Sequence, residues 1–352
     1  MSTAALLCLG LAQTWTLQPL AASSPVNTVA IARNGSYATG NRAGDVTIYD
    51  SSGRRTGGFH DAGPIASLAF SPDGKQIASG IQDDGRNVST SVWSVANGQR
   101  LRSMDALKHT PPKPSDDMRM YSFVTTAQVR WSPDGTLIAA THEGHLNVGV
   151  YLWSVDGKLI GELGKGSHAK PFPMAAGIHC LEFSPDGSRL VTGMDDGYVR
   201  VWKRDGSLAW QTKVDAKDSV CDADFSPDGK QIVYATSWQN KRIGWLDSKT
   251  GKKLSEGRGS ADYSLVRFVN DKQYLLSTGN YFMVSEPPGF STGGLTALPK
   301  NPRLPGPIVA LALSVDRKTA IAAFAKSPPV VLHFKPGDMQ GIKGNHDPHI
   351  VD

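Results

Sequence analysis

A five-residue string, Phe-Ser-Pro-Asp-Gly, recurs along this chain and limits what it can fold into more than any other feature. It stands at 70–74, 183–187 and 225–229, and Trp131-Ser132-Pro133-Asp134-Gly135 changes only the aromatic residue. Pro fixes φ at the second turn position, and Gly at the fourth is the usual type I partner. Each copy therefore reads as an apolar strand running into a tight turn.

Weaker copies fill the gaps: Ile31 before Arg33-Asn34-Gly35, Phe268 before Asn270-Asp271, and Leu313 before Val315-Asp316. The anchors 31, 70, 131, 183, 225, 268 and 313 are separated by 39, 61, 52, 42, 43 and 45 residues. Periods of about 40–45 residues mark repeats of about four strands each. Apolar residues lie five and two positions before the anchors (Ile65 and Leu68, Ile178 and Leu181). A second apolar run follows the turn, and a third ends near Trp93, Trp153, Trp202 or Trp245. Gly-containing turns such as Asn97-Gly98 and Asp156-Gly157 then lead to a fourth strand.

Asp83-Asp84-Gly85 and the run from Met194 through Asp195-Asp196-Gly197 to Trp202 supply a third-strand signature, and His60 stands ahead of the second unit. On these residues nearly the whole chain resembles the WD-repeat family of β-propellers. It departs from that family where Phe59 replaces the Gly of a Gly-His element. Ser94, Ser154, Lys203 and Leu246, not Asp, follow the tryptophans, so the family's Asp–His–Ser–Trp network is incomplete in most units. The expected fold is all-β: a seven-bladed β-propeller of four-stranded antiparallel blades. A ring must hide its strand edges. The last unit lacks a fourth strand, and Thr14-Trp15-Thr16-Leu17-Gln18 alternates like one, so residues 14–20 are expected to complete it. Residues 1–13 then form an extension or signal-like segment, 14–336 one propeller, and 337–352 a polar tail.

The net charge of +5 is not gathered into any run. A nucleic-acid binder would cluster its cations, so no nucleic-acid partner is expected. The cysteines Cys8, Cys180 and Cys221 make neither a disulfide framework nor a C-x-x-C zinc pair. Cys180 and Cys221 fall in strands and read as buried, inert thiols. The apolar run Ala4 to Ala12 is far too short to span a bilayer and lacks a basic leader. The default compartment is the cytoplasm; export after cleavage near Ala12 is the alternative, and it would spare the closing strand.

Three constellations carry chemistry on paper. Gly289-Phe290-Ser291-Thr292-Gly293 matches a hydrolase elbow, but that motif works only between a strand and a helix of an α/β sheet. His142-Glu143-Gly144-His145 could share a metal, yet a loop between strands gives the pair no common face. The residues just before the anchors include Arg130, Glu182, Asp224 and Arg267 in four consecutive units, and Asp222 shares the face of Asp224. Charges so near a core pair with one another or line a wet channel, since unpaired burial is costly. Trp245 to Gly251 resembles a quinoprotein-type repeat in one unit only, and no cofactor or metal is expected.

The two long steps come from insertions at 106–122, with Lys108, His109, Lys113 and Arg119, and at 164–176, with His168. In this fold they share a face with the loops between second and third strands, and hence with Asp84, Arg86, His142, Glu143, His145, Trp238, Lys241 and Arg242. Loops on a rigid scaffold are where binding concentrates. The expected function is a non-catalytic, monomeric platform that binds other proteins through this loop-rich face. The alternative is a propeller enzyme or sensor holding a small ligand or metal at the channel mouth. The recurring turn marks the opposite face, where no function is expected.

Overall fold

A computed structural model describes residues 15–334 except 21–24, 83–87, 105–127, 145–146, 164–177, 216, 237–240, 259–264, 279–280, 286–295, 298–307, 315 and 325. Its strands form a β-propeller of antiparallel four-stranded sheets, each strand paired with the next in sequence except at one closure. Blade 1 comprises Val26–Ile31, Tyr37–Asn41, Asp45–Tyr49 and Arg55–His60. Blade 2 comprises Ile65–Phe70, Gln76–Gln82, Val88–Ser94 and Arg100–Met104. Blade 3 follows as Val129–Trp131, Leu137–Gly144, Asn147–Ser154 and Leu159–Glu162. Blade 4 is Ile178–Phe183, Arg189–Met194, Tyr198–Lys203 and Leu208–Lys213. Blade 5 is Val220–Phe225, Gln231–Thr236, Arg242–Asp247 and Lys253–Arg258.

The expectation of seven blades needs correction at the next unit. Its strands are Leu265–Asn270, Gln273–Thr278, Tyr281–Ser285 and only Thr296–Ala297. That fourth strand pairs at two positions, Met283↔Ala297 and Val284↔Thr296. Six blades are complete, and this sheet is a reduced one. A Pro- and Gly-rich stretch follows its third strand, where Pro removes a ladder donor and Gly weakens pairing.

The closing blade joins both ends of the chain. Ile308–Leu313, Thr319–Phe324 and Val330–Phe334 are completed by Trp15–Pro19, in register from Trp15↔Phe334 to Pro19↔Val330. Leu20 N–H then donates to Pro329 O at 2.9 Å, and Gln18 Nε2 donates to Ser52 O of blade 1 at 2.7 Å.

The apolar core is not one body but a ring of seams. Each buried cluster takes side chains from two consecutive sheets. Ile48 and Phe70 join blades 1 and 2, Val92 and Ile138 join 2 and 3, Val201 and Ile232 join 4 and 5. Leu275 of the reduced sheet packs with Phe324, and Ile321 of the closing blade packs with Tyr37, so the ring is continuous. Alternation along each strand provides both faces of every seam.

The recurring turns are nearly identical. Ser71, Ser132 and Ser184 hydroxyls donate to Asp73, Asp134 and Asp186 Oδ1 at 2.6 Å, and Ser226 and Ser314 do the same to Asp228 and Asp316 at 2.7 Å. A second repeated contact lies further out, where the turn before each fourth strand abuts the preceding sheet. At Gly98 (φ +68°) a Cβ would fall 2.5 Å from Gly58 O of blade 1, which only glycine avoids. Among the described residues no helix is long and apolar enough to cross a membrane.

Candidate functional site

The innermost strand of each sheet is an edge whose amides need partners. Side chains from the preceding blade supply several of them. Ser67 Oγ accepts from Val129 N–H at 3.2 Å, Asp222 Oδ2 accepts from Val266 N–H at 2.8 Å, and Asp224 Oδ2 accepts from Phe268 N–H at 2.9 Å. Gln128 Nε2 donates to His179 O. Ser67, Gln128 and Asp222 all stand three residues before their anchors, a position that staples one blade to the next.

The predicted charges meet on this frame. Arg130 Nε pairs with Glu182 Oε1 at 2.8 Å, and Arg267 Nη2 reaches the same oxygen at 3.3 Å. Arg267 Nη1 pairs with Asp222 and also donates to Val266 O at 2.8 Å. Arg130, Glu182, Asp222, Asp224 and Arg267 thus form one network over blades 3, 4, 5 and the reduced sheet. Burial alone would lower the Arg267 pKa, but Asp222, Glu182 and Asp224 outweigh it and hold the guanidinium charged. Burial pushes the Asp222 carboxyl upward against the pull of Arg267.

A sixth member, Arg317, was not anticipated. It occupies the turn position that Gly holds in the strong repeats and has a left-handed φ of 57°. Its Nη1 donates to Phe268 O at 2.7 Å and lies 3.2 Å from Asp224 Oδ2. In the intact turns the corresponding glycine faces the preceding turn, as Gly187 faces Pro133. The reduced sheet has a shorter turn, pairing Asn270 with Gln273, and carries no proline there. A long cation therefore takes the place of the glycine. Three cations and three carboxylates then balance.

The loop-face residues are placed unevenly. Asp84, Arg86, Lys108, His109, Lys113, Arg119, His145, His168 and Trp238 lie outside the described residues, as does the Gly289–Gly293 string. His142 and Glu143 do not sit in a loop: they pair with Gly149 and Val148 on a hairpin that continues to Gly144↔Asn147. Lys241 has a left-handed φ of 47° beside Arg242. Arg242 is engaged rather than free, pairing with Asp215 Oδ2 at 2.9 Å and Glu256 Oε2 at 2.7 Å. Tyr234 O–H adds a bond to Glu256 Oε1 at 2.6 Å, so this corner is an internal brace of blade 5. Cys180 is buried, Cys221 is half-buried, and burial raises both thiols above their usual range.

His60 also departs from its expected part, since it is exposed and pairs with Asp45 at 2.9 Å. Asp61 next to it is buried instead. Trp93 Nε1 donates to Ser79 Oγ at 2.8 Å, and Ser79 O–H donates to Asp61 Oδ2 at 2.6 Å. A Trp–Ser–Asp relay therefore ties the third strand of blade 2 to its entry loop. In blade 4 Trp202 Nε1 donates to Thr192 Oγ1 at 3.0 Å. Among the described residues no three His, Cys, Asp or Glu side chains form a metal-ligating group.

Comparison with known proteins agrees with this architecture. The family described as WD domain, G-beta repeat matches residues 54–88 and 170–203, at the strands entering blades 2 and 4. WD repeat-containing protein 91 of Xenopus tropicalis is 29% identical over 193 residues, covering 49% of this chain and 24% of that protein. The WD repeat-containing protein WDS homolog of Arabidopsis thaliana is 30% identical over 195 residues, 54% of this chain and 32% of its own length. Small ribosomal subunit protein RACK1y of Oryza sativa subsp. japonica is 30% identical over 149 residues, 41% of this chain and 36% of its own. The chain thus spans well under half the length of these relatives. Repeated turns, inter-blade seams and these matches together mark the chain as a β-propeller similar to WD-repeat proteins.

Proposed function

We propose that this protein is a non-catalytic platform that binds other proteins through the face opposite the recurring turns. One observation carries the reading: the hairpins between second and third strands lengthen on that face over blades 2 and 3. Their strands run to seven residues (Gln76–Gln82, Val88–Ser94) and eight (Leu137–Gly144, Asn147–Ser154), against five or six in blades 1, 4 and 5. Two added residues lengthen a strand by about 7 Å. The fourth strands of blades 2 and 3, Arg100–Met104 and Leu159–Glu162, end toward the same face, and the insertions 106–122 and 164–176 follow them in sequence. The turn face, by contrast, repeats one self-bonded design. The central charges satisfy one another and the inner-strand amides, which supports a rigid hub rather than a ligand chamber.

Replacing residues 106–122 with a Gly-Ser linker should abolish partner capture from native extract while melting temperature stays within a degree or two. Retention of every partner by this variant would contradict the assignment.

A further inference from the structure

The large apolar side chains most open to solvent among the described residues are Leu101 (45%), Leu159 (43%), Ile160 (48%), Leu254 (49%) and Val309 (45%). The first four lie at the starts of fourth strands. Each is the first or second residue of a fourth strand, directly after the turn from the third. Equivalent positions on blades set around one axis lie at one height. These exposed side chains therefore stand at about one level, beside the rim of the turn face, in blades 2, 3 and 5.

Cations flank every one of them: Arg100 and Arg102, Lys158, and Lys252 and Lys253. Arg100, Lys158 and Lys252 are exposed, with no ion-pair partner among the described residues. Carboxylates share this face, but they are short, and Asp50, Asp205 and Asp247 turn back on their own turns. Asp247 Oδ1 accepts from Lys249 N–H, Thr250 N–H and the Thr250 hydroxyl. Long Lys and Arg side chains outreach them, so the outermost layer is cationic. Leu159 and Ile160 are consecutive and point to opposite sides of their strand. The apolar groups thus form a spaced ring rather than one patch, which a peptide groove or a compact protein hot spot would need.

A contact spread over three blades at one level suits a flat partner, and alternating cations and leucines suit acidic headgroups above acyl chains. We propose that the turn face docks peripherally on a membrane containing acidic lipids. Leu101, Leu159, Ile160 and Leu254 enter the headgroup–acyl boundary, while Arg100, Lys158 and Lys252 meet the phosphates. The loop-rich face then points away from the bilayer.

Flotation of the full chain with phosphatidylcholine vesicles, with and without phosphatidylserine, tests this. Binding should require phosphatidylserine and fall as salt shortens the screening length from about 10 Å at 0.1 M to about 3 Å at 1 M. Each cation removed should weaken partitioning roughly five-fold, so Arg100→Gln, Lys158→Gln and Lys252→Gln together should weaken it about a hundred-fold. Leu101→Ser with Ile160→Ser should weaken it at unchanged charge. All are exposed sites whose folding circular dichroism checks, and the lipid and salt series need no variant. Absence of phosphatidylserine-dependent flotation, insensitivity to either variant set, or equal binding of poly-glutamate or RNA would overturn the proposal.

Discussion

Asp222 does two jobs with one carboxylate. It accepts the Val266 amide of the next inner strand and neutralises Arg267, whose other nitrogen reaches Glu182. Its side chain is only 3% exposed, so removing it strands a buried guanidinium. Asp222→Ala should cost about 3–5 kcal/mol, read as a lowered urea midpoint, with Asp222→Asn milder because it keeps an acceptor. A loss under about 1 kcal/mol would show that the network is solvated. Arg317 sets two opposed effects against each other. Arg317→Gly relieves about 1–2 kcal/mol of left-handed strain but removes bonds to Phe268 O and Asp224, each worth about 1.5–3 kcal/mol. The variant should therefore be less stable, despite restoring the consensus turn. A more stable variant would mean those bonds contribute little. The charges at 130, 182, 222, 224 and 267 were legible because the anchors align them. Ser67 and Gln128 were not, since a staple can be any hydrogen-bonding side chain and leaves no motif. Arg317 was hidden because its role depends on a shortened turn in another sheet.

Among the elements, the recurring turn is the most regular and carries the clearest pH signature. The Ser71, Thr250 and Ser314 hydroxyls are the leading cause holding Asp73, Asp247 and Asp316 below the usual carboxylate range, and the Ser52 hydroxyl brings Asp50 to about 2. A carboxyl depressed in the fold stabilises above its unfolded pKa of about 3.8, and that contribution is lost as pH falls through the folded value. The urea midpoint should thus hold from pH 6 to about 4.5 and then decline toward pH 2. A midpoint that rises on acidification would contradict the turn geometry. The turns themselves were plain in the sequence, since Pro and Gly dictate backbone angles locally. The extended hairpin carrying His142 and Glu143 was not: pairing there depends on Val148 and Gly149 across the strand, not on local turn chemistry. The reduced fourth strand was missed for the same reason, since only its cross-strand pairing to Met283 and Val284 shows how little remains.

For the molecule as a whole, the ring of seams makes closure decisive. Deleting residues 1–19 removes the strand that covers Val330–Phe334 and the Gln18 link to blade 1. At about 1 kcal/mol per hydrogen bond the loss should reach several kcal/mol, with soluble oligomers on size-exclusion as the opened edge finds partners. A monomer of unchanged stability would mean the ring closes without that strand. Closure was legible because alternation in Thr14 to Gln18 answers a strand missing at the other end. The count of seven blades failed because periodicity counts turns, not complete sheets. A scaffold so uniform on one face and so varied on the other fits a platform with a single protein-binding side. Cross-linking of the full chain in native extract, mapped by mass spectrometry, tests that most directly. Partner cross-links should fall on Lys217 and Lys241 of the loop-rich face and on Lys108 and Lys113 of the 106–122 insertion. Partner cross-links confined to Lys75, Lys158 and Lys230 would place binding on the turn face and contradict the account.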